Sequence, residues 1–377
     1  MKKLLALVIA AGLCAGLCGC ASTVSVSGAQ IDADGHLIPS ITDGSEPDAG
    51  LPGEKGENGE QGYDGGSGTR VTSAEDIKKA IEQTAEGGTA EISLANDLIL
   101  SEPLKITADT VIHGNGYKVK LDSDIKNPIF NGGKNNLTLD NMTLDGQNNR
   151  VYDYFGAING GEGSSLTLSN VTIENVEAER IIRAVSVQSV NLTNVTIRNN
   201  KTSNSKDGAY GLLFTNVENM TLKNVSITDN NIGKSLIMVW DNDMIWGNNK
   251  VNALTAESLT IENNTIGEHI LATLGTDCSD TITLTSGSIR GNNTATAGIY
   301  MVGNLTIGKD MNVLCGITLN NDSAKGECTL TNNGTITGDI ASADWAAKDS
   351  GLPHYTGTGT HNGTKTNITD LTATTQP

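Results

Sequence analysis

Apolar and polar residues alternate through the middle of this chain in short phrases that keep returning. Leu137-Thr-Leu-Asp-Asn-Met-Thr-Leu144 is followed by Leu166-Thr-Leu-Ser-Asn-Val-Thr-Ile173 and Val190-Asn-Leu-Thr-Asn-Val-Thr-Ile197. Further copies open at Met220, Leu259, Ile282, Leu305 and Cys328, with successive openings 23 to 39 residues apart. Period two places Leu137 and Leu139 on one face of a strand and Thr138 on the other. A β-rich unit recurring about every two dozen residues, with no helical heptad, predicts a solenoid that stacks coil on coil.

Stacking then sets out columns. The inward column is expected at Leu137, Leu166, Val190, Met220, Leu259, Ile282, Leu305 and Cys328, and the outward one at Thr138, Thr167, Asn191, Thr221, Thr260, Thr283, Thr306 and Thr329. Asn141, Asn170, Asn194, Asn224 and Asn263 fall at the bend inside each phrase. Asparagine tolerates the left-handed conformation, and stacked amides can bond one another. A third strand follows each phrase, as at Leu212-Leu-Phe-Thr215 and Ile237-Met-Val-Trp240. The fold class is therefore all-β, a three-sided parallel β-helix. A helix over 73–86 is expected to close its first coil. Thr72 with Glu75, or Ser73 with Asp76, starts it; Ile77, Ala80 and Ile81 share one face, and Gly87-Gly88 stops it.

With these repeats and this leading helix, the β-helix region, 70–345, resembles over about residues 70–340 the right-handed parallel β-helix proteins of the pectate-lyase-like superfamily. The resemblance implies the right-handed coil and opens two functional classes, since one fold hosts many activities.

The N-terminus suggests where the chain works. Met1-Lys-Lys is basic, Leu4 to Leu17 is an apolar run too short for a stable span, and Leu17-Cys-Gly-Cys20 resembles the lipobox of bacterial lipoproteins. That implies removal of 1–19, lipidation of Cys20, and an anchor on the extracellular face of the cell envelope. A plain secretory cleavage near Ala21 is the other reading. The formal net charge of −18 disfavours nucleic acid as a partner and leaves membrane attachment to the lipid. Residues 20–49 read as a tether containing a small hairpin. Over 50–69, glycine stands at every third position, as in collagen, either as a polar spacer or as a homotrimerisation segment. After Trp345 the pattern lapses, and 346–377 reads as a flexible tail. Cys278, Cys315 and Cys328 lack metal-site spacing, and their odd count sets no disulfide framework.

Chemistry is sparser. The Gly-His-Gly and Asp-Asp signatures of polygalacturonase-like hydrolases are absent from the sequence. The longest coil carries an insertion, Trp240-Asp-Asn-Asp-Met-Ile-Trp246, in which Trp240, Asp241, Asn242, Asp243 and Trp246 are candidate ligand-binding residues. Indole faces stack on sugar rings, and Asp241 with Asp243 could hold Ca²⁺. The bland alternative is that both tryptophans cover an apolar strand. Arg150, Tyr152, Asp153, Tyr154 and Phe155 form an aromatic turn that could share a groove with Arg180 and Arg183. By analogy with the β-helix lyases, Arg180 and Arg183 are candidates for a catalytic base, and Asp241 and Asp243 are further catalytic candidates.

Two functions follow. The favoured one is a lipid-anchored, adhesin-like surface solenoid that binds an extracellular polysaccharide or a host or cell-surface protein, with no certain cofactor. The alternative is a Ca²⁺-dependent polysaccharide lyase.

Overall fold

The computed structural model describes residues 26–31, 37–41, 68–203, 208–241, 251–275, 279–296, 298–321, 327–343 and 351–372. Cys20, most of the Gly-X-Y segment, Asn242, Asp243, Trp246 and Cys278 lie outside them. Two compact units emerge, Met1–Asp64 and Gly65–Pro377. In the first, Val26–Ile31 pairs antiparallel with Leu37–Ile41, where the tether was expected to hold a hairpin.

The second unit is a parallel β-helix. Its first face begins with Thr69–Val71, Thr89–Leu94 and Asp109–His113 and continues through the first half of each phrase. The second halves build the second face, from Leu98–Leu100 to Thr360–Asn362. A third ladder runs from Leu104–Lys105 through Arg180–Val185 and Ile237–Trp240 to Lys365–Thr366. Burial follows the alternation: Leu222 is fully buried, while its neighbour Thr221 faces outward and is exposed.

Four features depart from the sequence pattern. The middle coils carry a fourth, two-residue ladder, from Arg150–Val151 to Asn293–Thr294, so they are not simply three-sided. In the longest coil Leu254, not Leu259, pairs with Met220, and Leu259-Thr-Ile261 belongs to the second face. Accordingly Thr255 takes the outward slot expected for Thr260, and Ser258 (φ 55°) turns the first corner while Asn263 turns the next. In the last repeat Leu330 faces Leu305, and Cys328 lies two residues earlier. It is still buried, its thiol donating to Asn320 O (2.9 Å) and accepting from Gly303 N (3.1 Å). Finally, strands at His354–Thr356, Thr360–Asn362, Lys365–Thr366 and Thr369–Asp370 continue the stack where a loose tail was expected. Burial pushes Cys315 up to about 12, which keeps it a thiol.

The helix is shorter than expected, Ala74–Glu82, and will be called α1. Ser73 caps it by accepting from Asp76 N at 3.2 Å, and the Asp76 carboxylate accepts in return from Thr72 N at 3.0 Å. Ile77 and Ile81 are buried against the first coils.

Two amide ladders pin the corners. Outside, Asn224 donates to Asn194 Oδ1 (2.9 Å) and Asn194 to Asn170 Oδ1 (2.8 Å), each in the left-handed conformation. Inside, at the second corner, Asn200, Asn230, Asn264 and Asn292 form a continuous ladder. Each of the first three donates both its backbone N–H and its Nδ2 to the next carboxamide oxygen at 2.9–3.1 Å. Asn200, Asn230 and Asn264 are at most 2% exposed, so these bonds satisfy backbone groups that water does not reach.

A candidate ligand-binding cleft on the third face

The outward side of the third face differs from the other two. There the strands read Arg180-Ile-Ile-Arg-Ala-Val185, Tyr210-Gly-Leu-Leu-Phe-Thr215 and Ile237-Met-Val-Trp240, nearly without alternation. In the outward column Arg183 faces Leu213, then Met238, Ala272 and Tyr300. Leu213, Met238 and Ala272 are buried although they point away from the core, and Trp240 and Tyr300 pack against them. Strands apolar on both sides are covered strands.

Where this column turns polar, a cleft of about 310 Å³ opens. Asn131, Asn159 and Arg183 line it from three successive coils. Asn159 Nδ2 donates to Asn131 Oδ1 (2.9 Å), and Arg183 Nη1 donates to Asn159 Oδ1 (2.7 Å). Lys134 and Glu162 stand at the rim, 3.5 Å apart. The coils meet closely beneath them, because a Cβ on Gly161 would come within 2.4 Å of Gly133 O. Phe155 forms the opposite wall.

Of the aromatic turn expected at 150–155, Phe155 lines this groove, and Tyr154 stands near its Arg183. Tyr152, Tyr154 and Phe155 are 50%, 48% and 44% exposed, high values for rings of that size. Asp153 Oδ1 accepts from Phe155 N and shapes the turn (2.6 Å). The guanidinium of Arg183 lies over the Phe155 ring at 4.8 Å and within 5.8 Å of Tyr154. Burial, with the neighbouring charge of Arg180, draws Arg183 down to about 10, so it remains a cation at neutral pH. Among the described residues no carboxylate lies within ion-pair distance of it, and its Nε has no hydrogen-bond partner.

Arg180 is placed differently. At 1% exposed it is turned into the fold, stacked on Tyr154 at 4.0 Å and donating to the Tyr154 carbonyl and to Glu179 Oε2 (3.4 Å). A general base must reach the substrate's proton, and a side chain this enclosed does not. Trp240 lies half-buried on the same face, two coils along from Val185. Asp241 is 5% exposed, with its backbone N bonded to Leu274 O (2.7 Å). Among the described residues no three His, Cys, Asp or Glu side chains gather as a metal cluster, and the cleft itself offers one carboxylate, Glu162. The hard, multidentate oxygen shell that calcium requires is not formed there.

Asn131, Lys134, Asn159 and Glu162 escaped the sequence reading, yet they carry a signal. Asn131-Gly-Gly-Lys134 recurs one coil later as Asn159-Gly-Gly-Glu162.

The fold is thus a parallel β-helix with a polar, aromatic-walled cleft on one face. No protein-family profile matches the chain, and no curated protein matches it. Two solved structures are similar to it at low identity. The SRRP of L. reuters 100-23 shares 15% identity with a TM-score of 0.44, over 80% of this chain and 98% of that one. The SRRP of L. reuteri 53608 shares 14% with a TM-score of 0.38, over 80% and 99%.

Proposed function

We propose that this chain is an adhesin-like β-helix, held by a lipid on Cys20 at the outer face of a bacterial cell, that binds an extracellular acidic glycan in the third-face cleft. One observation carries the reading: exposed rings at Tyr154 and Phe155 stand beside Arg183, a cation with no described carboxylate within ion-pair distance. Aromatic faces stack on the apolar faces of sugar rings, the amides of Asn131 and Asn159 suit hydroxyls, and a guanidinium suits a sugar carboxylate or sulfate. In a chain of net charge −18, an arginine without a direct ion-pair partner inside a cleft attracts anions locally while the surrounding surface repels them.

The test is a glycan panel of neutral and uronic-acid or sulfated polysaccharides, followed by titration calorimetry. Phe155→Ala and Arg183→Gln should each weaken binding of an acidic glycan about tenfold while leaving the melting temperature nearly unchanged. Absence of binding across the panel, or binding indifferent to both changes, would overturn the proposal. Growth of ultraviolet absorbance from unsaturated sugars during the same incubation, with added Ca²⁺, would assign the lyase activity instead.

A further inference from the structure

Arg180 holds the aromatic turn from below. It is among the largest fully buried side chains of the fold, and its guanidinium meets three groups of the turn and its surroundings: the Tyr154 ring at 4.0 Å, the Tyr154 carbonyl, and the Tyr210 ring at 5.8 Å. Its backbone carbonyl also accepts from Ala157 N at 2.9 Å, at the end of the same turn. Gly156 makes the approach possible. Its φ is +82°, and a Cβ there would meet Arg180 O at 2.6 Å. Residues 154–156 thus meet the third face closely at Arg180 and Gly156, and the exposed rings are the part left standing in solvent. A buried guanidinium is a costly way to secure a surface turn. A hydrophobic residue could fill the same space, but it could not bond the Tyr154 carbonyl while lying over its ring.

We infer that Arg180 is a positioning residue for the cleft: it does not touch the ligand, but it sets Tyr154 and Phe155 in the orientation that Arg183 and the ligand require. The inference rests on the binding reading above. It also explains why two arginines share one ring, since Arg183 lies 5.8 Å from the Tyr154 face that Arg180 occupies more closely. Displacing Arg180 therefore disturbs the second cation as well as the turn.

The experiment uses the purified full-length chain and tetragalacturonate as the probe, with cellotetraose as the neutral control. Arg180→Lys keeps the charge and the stem but loses the planar fork. At a temperature well below both melting points, calorimetry separates affinity from the folded fraction, which appears in the stoichiometry. Positioning gives an unchanged stoichiometry and about tenfold weaker binding; a purely structural role gives a lower stoichiometry or melting point with unchanged affinity, and would sink the inference. In a Tyr154→Ala background the same substitution should cost much less, because the ring that Arg180 holds is already gone. An equal fold-change in both backgrounds counts against it. Should Arg180→Lys not fold, Arg180→Met, which retains apolar packing, is measured in the same way. If the wild-type chain binds neither tetragalacturonate nor any other acidic glycan, the binding reading fails by itself. Hydrogen exchange then decides on Arg180: faster exchange confined to residues 154–157 in the variant supports the clamp, and unchanged exchange there refutes it.

Discussion

Replacing Asn230 by alanine would test whether the inner amide ladder holds the coils together. Asn230 Oδ1 accepts from both Asn200 N and Asn200 Nδ2, and its own Nδ2 donates to Ile197 O, Thr228 O and Asn264 Oδ1 at 2.9 Å. Alanine deletes all of these at a site 2% exposed, where water does not substitute. At least two buried groups, the Asn200 N–H and a carbonyl, lose their partner, at about 1–3 kcal/mol each, so the expected loss is about 4 kcal/mol. Asn194 provides the control. It sits in the outer ladder with a left-handed backbone (φ 54°), and its amide is exposed. Asn194→Ala should therefore cost about 1 kcal/mol, the strain of alanine in that conformation. Urea unfolding followed by far-ultraviolet circular dichroism gives both values if the slopes agree. Equal losses in the two variants would falsify the assignment of the inner ladder as the stabilising one.

Three further outcomes are expected. Leu222→Asp buries an unpaired carboxylate and should unfold the chain or cost several kcal/mol, whereas Thr221→Asp should stay within about half a kcal/mol; equal melting temperatures would overturn the inward–outward register. Cys20→Ser should release the chain from membranes or block its processing, and detergent partitioning identical to wild type would refute lipidation. Stability should also fall in acid. Burial disfavours the charge of Asp145, but hydrogen bonds from Asn175 and Gln147 and the charge of Lys118 outweigh it, and bonds from Arg290 and Ser288 act on Glu262; both carboxyls are held below their ordinary values of 3.8 and 4.5. A folded-state pKa below the unfolded one contributes stability that is complete above those ordinary values and lost as pH falls through the lowered ones. Asn175→Ala should shrink this loss in a pH series of urea midpoints, and an unchanged acid limb would contradict it.

Much of the fold was legible because the interior of a solenoid repeats. A period of two, an asparagine at each bend and a capping pair before α1 state the columns, the corners and the start of the stack directly. The slips occurred where the repeat itself is irregular. Leu259-Thr-Ile looks like a phrase opening, but the strand Ala253–Glu257 before it already fills the first face. Cys328-Thr-Leu keeps the alternation but stands two residues out of register with Leu305. The fourth ladder was hidden because its strands are two residues long, too short for any periodicity. Its neighbouring inner ladder left a readable trace in Asn199-Asn200, Asp229-Asn230 and Asn263-Asn264, where the first residue turns left-handed and the second points inward. The cleft was half visible. Arg183 and the aromatic turn were named for their chemistry, but charge alone could not separate the enclosed Arg180 from the open Arg183. Their exposure depends on Tyr154 and Tyr210, which come from the coils on either side.

The split between inward and outward columns has a consequence for how such a chain can change over time. Ile182, Leu212, Ile237, Leu271 and Ile299 stack inside the third face, while Arg183, Leu213, Met238, Ala272 and Tyr300 stack one residue along on the outside. The interior series is nearly uniform and the exterior series is not. A substitution in the outer series leaves the packing of the inner one untouched, so recognition can be rewritten one coil at a time. Gain or loss of a whole coil shifts every later exterior residue by one strand spacing, about 4.8 Å along the axis. Descent can then adjust the distance between contact points as a ruler does, in fixed steps, with the same interior repeated beneath each mark.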